Sequence, residues 1–129
     1  MYMTQNSKFV TRYPFSEDKS REERVLQTVR IGGVYFSRVE VEPGAVVANL
    51  YYRNTNFIFF VELGKMKARF VQVHSGEEKE LVMEPGGGLM HVPPYNAFAL
   101  KNLSKEKGIM IVFSDQPLRS GDDVEYKLY

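Results

Sequence analysis

Apolar and polar positions along this chain alternate in short runs, and the runs are divided by Gly, Pro and Asn. Residues 24–30 and 34–41 are rich in β-branched and aromatic side chains, with Gly32 and Gly33 between them. Glu42-Pro43-Gly44 breaks the pattern before residues 45–53, and Asn54-Thr55-Asn56 breaks it again before 57–63. Met66, Ala68 and Phe70 alternate with Lys67 and Arg69, as in a strand with one wet face. Further segments at 79–83, 89–92, 97–102 and 109–113 follow, each closed by a turn containing Gly, Pro or Ser, and Val124, Tyr126 and Leu128 alternate at the end. About ten short strands at even spacing predict an all-β sandwich or jelly-roll barrel. Helical periodicity is scarce, and the polar run 16–24 reads as a solvated loop.

Two segments depart from alternation. Residues 57–61 (FIFFV) and 109–113 (IMIVF) are apolar on both faces, so something must cover the outer one. Two covers fit: the N-terminal segment around Phe9, Val10, Tyr13 and Phe15, or a second copy of the chain. We favour the second copy, a homodimer with Ile58, Phe60, Ile109, Ile111 and Phe113 near the buried face.

At 129 residues the chain suits a single domain, divided as an N-terminal arm, loop or extra strand over 1–24, a barrel over 25–114 and a C-terminal extension strand over 115–129. A 43% hydrophobic content with nine Phe and eight Tyr suits a folded core. The net charge of +1, with cations scattered among acids, argues against nucleic-acid binding by this domain. With no cysteine there is neither a disulfide framework nor a thiolate metal site. No apolar run is long enough to span a membrane and the N-terminus lacks a signal-peptide core, so the expectation is a soluble intracellular protein.

Residues 44–64 and 88–102 resemble the two motifs of the cupin superfamily, G-x5-H-x-H-x3/4-E-x6-G and P-x-G-x2-H-x3-N. The resemblance implies a cupin double-stranded β-helix, a jelly-roll barrel. Counting back from Gly64 puts Phe57 at the carboxylate position and Tyr51 and Arg53 at the paired histidines, while Phe98 takes the last histidine. None of these suits a divalent ion, so no metal and no cofactor is expected. Tyr51, Arg53, Phe57 and Phe98 should line the interior, with His91 near the mouth. They form either an aromatic box able to stack a base or sugar, or the filler of a vacated metal site.

Other candidates carry less. His91 can serve as a general base, but nothing local in sequence supplies an orienting carboxylate. His74 falls in a hairpin tip, and Gly86-Gly87-Gly88 joins two strands, unlike a phosphate loop. Tyr126, Leu128 and Tyr129 offer an edge strand for a partner segment, or pack on their own barrel.

Within the cupins, residues 57–64 (FIFFVELG), 92–103 (VPPYNAFALKNL) and 34–44 (VYFSRVEVEPG) resemble the C-terminal domain of centromere protein C. That resemblance implies a non-catalytic homodimerisation module in the nucleus, at the centromere or kinetochore. Its partner would be an assembly protein such as the loading factor of the centromeric histone. The alternative is a metal-independent isomerase or epimerase of nucleotide-linked sugars, which residues 88–94 and 122–126 also resemble. Against it stands the lack of a histidine base among residues 50–53.

Overall fold

A computed structural model of the chain describes residues 5–6, 9–118 and 120–129. Two short strands, β1 (Gln5–Asn6) and β2 (Thr11–Arg12), pair with each other. Then come β3 (Ser16–Arg21), β4 (Arg24–Ile31), β5 (Val34–Val41), β6 (Val46–Tyr52) and β7 (Phe57–Leu63). The rest are β8 (Met66–Gln72), β9 (Glu78–Met83), β10 (Met90–Val92), β11 (Asn96–Asn102), β12 (Gly108–Ser114) and β13 (Asp123–Glu125). All pairings are antiparallel. One sheet runs β10-β7-β12-β5-β4-β3 and faces a second, β13-β6-β11-β8-β9. This is the all-β jelly roll that the alternation predicts.

The core follows from strand parity. Phe57, Phe59 and Val61 of β7, Met110 and Val112 of β12 and Val39 and Val41 of β5 point inward from one sheet. Met66 and Ala68 of β8 and Phe98 and Leu100 of β11 meet them from the other. The run 16–24 is not a loop. Its first six residues form β3, paired through Glu17 with Gln27 and Asp18 with Leu26. An edge strand with both faces wet shows no apolar alternation, which is why the sequence hid it.

Ile58 and Phe60 of β7, with Ile109, Ile111 and Phe113 of β12, lie on the outer face of the six-stranded sheet and are half-buried. Phe36 completes the patch by packing edge-on against Phe113 at 5.2 Å. The N-terminal segment does not cover it, since Phe9 is 90% exposed and Val10, Tyr13 and Phe15 are exposed as well.

One buried amide ties the two sheets at the closed end. Asn102, 1% exposed, ends β11. Its Nδ2 donates to the carbonyls of Val41 (3.1 Å), Glu42 (3.3 Å) and Glu106 (2.9 Å), and its Oδ1 accepts the Ser104 N–H at 2.9 Å. Gly64 completes the corner with φ of +89°, where a Cβ would meet the Gly108 Cα at 3.2 Å. Asn102→Ala strips partners from several buried groups and should cost about 3 kcal/mol. Urea unfolding measures this; a loss within experimental error would remove the corner as a stabilising element.

Candidate functional site

Between the sheets lies a cavity of about 680 Å³. Its walls are apolar, with Leu26, Val39 and Met110 from one sheet and Leu50, Phe98 and Leu100 from the other. Tyr52 and Phe57 stack at 6.2 Å, and Phe57 and Phe98 sit 4.6 Å apart, giving one end of the cavity an aromatic floor. Charge gathers elsewhere on the lining. Arg21, Glu23 and Arg24 come from the β3–β4 hairpin, and Asp123 and Glu125 from β13 on the opposite sheet.

Tyr52 joins floor to rim. It is 6% exposed, and its hydroxyl donates to the Leu118 carbonyl at 3.3 Å. Burial, helped by the charges of Asp123 and Asp122, pushes the phenol well above its ordinary pKa, against a smaller opposing effect of Arg24. The phenol is therefore a proton donor across the neutral range. Arg24, its side chain only 13% exposed, lies 3.6 Å from the Asp18 carboxylate and also donates to the Asp18 carbonyl. Asp123 pairs with Tyr52 and Glu125 with Leu50 across the β13–β6 ladder, so both carboxylates share the inward face with the phenol.

Asp122 anchors this strand. Its carboxylate accepts from Ser120 Oγ (2.6 Å), the Asn54 N–H (2.8 Å) and Thr55 Oγ1 (3.0 Å). Burial raises its pKa, but the combined hydrogen bonds outweigh it and the net direction is downward.

Of the five expected lining residues, Phe57 and Phe98 stand on the cavity wall and Tyr51, Arg53 and His91 stand outside it. For Tyr51 and Arg53 the difference is the spacer before Phe57, three residues in the count where the chain has four, and β6 also carries a bulge. Ala48 and Asn49 both adopt left-handed backbone (φ 76° and 56°), and the register with β11 slips as Leu50 opposes Phe98 while Ala48 opposes Ala99. Tyr52 thereby turns inward, Tyr51 outward and Arg53 to solvent. Counting forward from Gly44 gives Leu50 and Tyr52, and the backward count gives the same pair when the variable spacer before Phe57 is taken as four residues.

His91 sits on the outer face opposite Ile58 and is exposed. An orienting carboxylate does exist, at one remove. Asp115 accepts from the N–H and Nδ2 of Asn56, which turns Asn56 Oδ1 toward His91 Nε2 at 2.9 Å. His74 is exposed and packs on the Tyr95 ring at 5.0 Å.

The C-terminal residues are not a free edge. Beyond β13, Tyr126 N–H donates to the Asn49 carbonyl, and Leu128 and Tyr129 N–H donate to Asn49 Oδ1. Tyr129 lies under the Arg69 guanidinium at 5.3 Å, and its hydroxyl donates to the Lys67 carbonyl. These three residues are docked on their own barrel.

No protein family and no curated protein matches the sequence. Solved structures do. The capsular polysaccharide assembling protein CapF from Staphylococcus aureus superposes with a TM-score of 0.79 at 17% identity, over 94% of this chain and 33% of that one. Bacillus subtilis oxalate decarboxylase OxdC gives 0.73 at 17%, over 85% and 30%. Oxalate oxidase gives 0.66 at 15%, over 76% and 53%. The fold is a cupin. The chain spans about a third of the length of CapF.

These neighbours overturn the expectation of a non-catalytic centromere module. They are a capsule-assembling protein and proteins named as enzymes, and none is a centromere protein. The nuclear location and kinetochore partner rested on that resemblance alone and lose their support.

A metal in the cupin position does not fit this chain. The corrected positions hold Leu50, Tyr52, Phe57 and Phe98, and no group of three or more His, Cys, Asp or Glu suited to a metal occurs among the described residues.

The lowered pKa of Asp122 has a sign. Its hydrogen bonds contribute stability above the unfolded carboxylate pKa, and that contribution is lost as pH falls through the lower folded value. Melting temperatures of the parent and Asp122→Asn chains should therefore differ at neutral pH and converge in acid. Parallel curves across the whole range would contradict the assignment.

Proposed function

We propose that this domain is a catalytic cupin that isomerises or epimerises a nucleotide-linked keto-sugar by acid–base chemistry without a metal. The observation that carries the reading is the buried phenol of Tyr52, held protonated in a cavity where the neighbouring strand β13 sets the carboxylates of Asp123 and Glu125 on the same wall. A cavity of about 680 Å³ falls in the range of small-molecule sites. Aromatic floor residues suit the C–H face of a sugar ring, and Arg21 and Arg24 at the rim suit a diphosphate. The likeness to a capsular polysaccharide assembling protein over nearly the whole chain supports the same class.

The chemistry balances with the groups present. Asp123 or Glu125 takes the proton from the carbon beside the keto group, leaving an enolate. The Tyr52 hydroxyl, on the same wall of the cavity, protonates the enolate, and the two groups re-equilibrate with water. The histidine base that the sequence lacked is replaced by carboxylates delivered from β13.

Incubation with dTDP-4-keto-6-deoxyglucose in D2O tests this by NMR. Deuterium should enter beside the keto group, and Tyr52→Phe should slow entry by about 10²- to 10⁴-fold. Absence of exchange together with absence of binding would refute the reading.

The same face of the six-stranded sheet supports pairing of two copies. Ile58, Phe60, Ile109, Ile111 and Phe113 form an apolar patch on its outer side, and the arm residues Phe9, Val10, Tyr13 and Phe15 are themselves exposed. Light scattering should report a dimer at micromolar concentration and a monomer or aggregate for Ile111→Glu. A monomeric parent chain would remove this interface.

A further inference from the structure

Outside the barrel, four rings form a row that the cavity does not use. His74 and Tyr95 lie 5.0 Å apart, Tyr95 and Tyr51 5.6 Å, and Tyr51 and Tyr126 6.2 Å. Tyr51 points away from the cavity, on the opposite face of β6 from its neighbour Tyr52.

Tyr95 stands in left-handed backbone with φ of 62°. For a bulky side chain this costs about 1–2 kcal/mol, and glycine would adopt it without strain. The conformation is enforced from both sides. Its N–H donates to the Tyr52 carbonyl at 2.8 Å and its carbonyl accepts from Val73 at 3.1 Å. Asn96 Nδ2 clamps the preceding turn through the carbonyls of Pro93 and Pro94. Yet the ring so placed is 36% exposed, so full burial does not compensate the strain. A strained residue that displays a ring on a rigid turn is the pattern of a preorganised contact.

The chemistry of the row narrows its ligand. The hydroxyls of Tyr51, Tyr95 and Tyr126 and the His74 ring nitrogens bond to no other described residue. Among the described residues no cation lies over any of the four rings, whereas Arg30 covers Tyr35 and Arg69 covers Tyr129. The surface is amphipathic and free of cationic contacts, which disfavours nucleotides and phosphorylated groups. A pyranose presents a patch of C–H bonds on one face and hydroxyls around its edge, and matches both halves of such a surface.

We propose that His74, Tyr95, Tyr51 and Tyr126 form a binding platform for an uncharged oligosaccharide, separate from the cavity. This site stands independently of the proposed reaction.

Titration of the ¹⁵N-labelled full chain with chitotetraose and with cellotetraose tests it. At least one should shift the amides around Tyr51, Val73, Tyr95 and Tyr126, and leave those around Leu26 and Met110 unmoved. Tyr95→Gly relieves the backbone strain, so it should melt within a few degrees of the parent while weakening binding about tenfold or more. Tyr51→Ala should weaken it similarly. Three outcomes would overturn the proposal: no shift in the row with either saccharide, a row that responds instead to UMP or to a proline-rich peptide, or a Tyr95→Gly chain that melts far lower with binding intact.

Discussion

Two consecutive residues in left-handed backbone, Ala48 and Asn49, decide which side of β6 faces the interior. A strand has a period of two, so one extra residue exchanges its two faces. Without the bulge the barrel would enclose Tyr51 and expose Tyr52. With it, Tyr52 meets Phe57 and Phe98, and Tyr51 joins the outer row. The cost of the strained pair is offset locally. Asn49 accepts three backbone N–H groups from the C-terminal tail, two of them on its side chain, and so straps down the segment that follows β13. The bulge that selects Tyr52 thus also holds the strand that brings Asp123 and Glu125 to the cavity.

The cavity's polarity follows from which elements surround it. Central strands contribute apolar side chains because both of their ladders are satisfied and their inner faces meet the other sheet. Charged groups arrive from the edges, from the hairpin of β3 and β4 on one side and from β13 on the other. A phenol placed at the border of these regions is desolvated, and nearby carboxylates discourage its ionisation further. The result is a phenol kept protonated beside carboxylates on one wall of the cavity.

Most of the barrel was legible because alternation, glycines and turn residues agree along residues 25–113. The apolar outer faces of β7 and β12 were legible for the same reason. β3 was not, since an edge strand with two wet faces has no periodic signal. The bulge was not either. Neither Ala48 nor Asn49 is glycine, so the local sequence did not mark it. Asp123, Glu125 and Arg24 were missed because their approach to the cavity depends on long-range pairing, β13 on β6 and β3 on β4. The His91 network was missed likewise, because Asn56 and Asp115 lie far from it in sequence.

The central claim is that a ligand is turned over between the sheets, against Tyr52, and not at the outward residues that motif counting selects. A crystal structure or amide footprint of the chain with dTDP-4-keto-6-deoxyglucose bound measures this directly. The account predicts density or shifts at Leu26, Tyr52, Leu118 and Asp123, with the keto-sugar near the phenol and the diphosphate toward Arg21 and Arg24. Binding centred on His91 and Arg53, with the cavity residues unmoved, would contradict it.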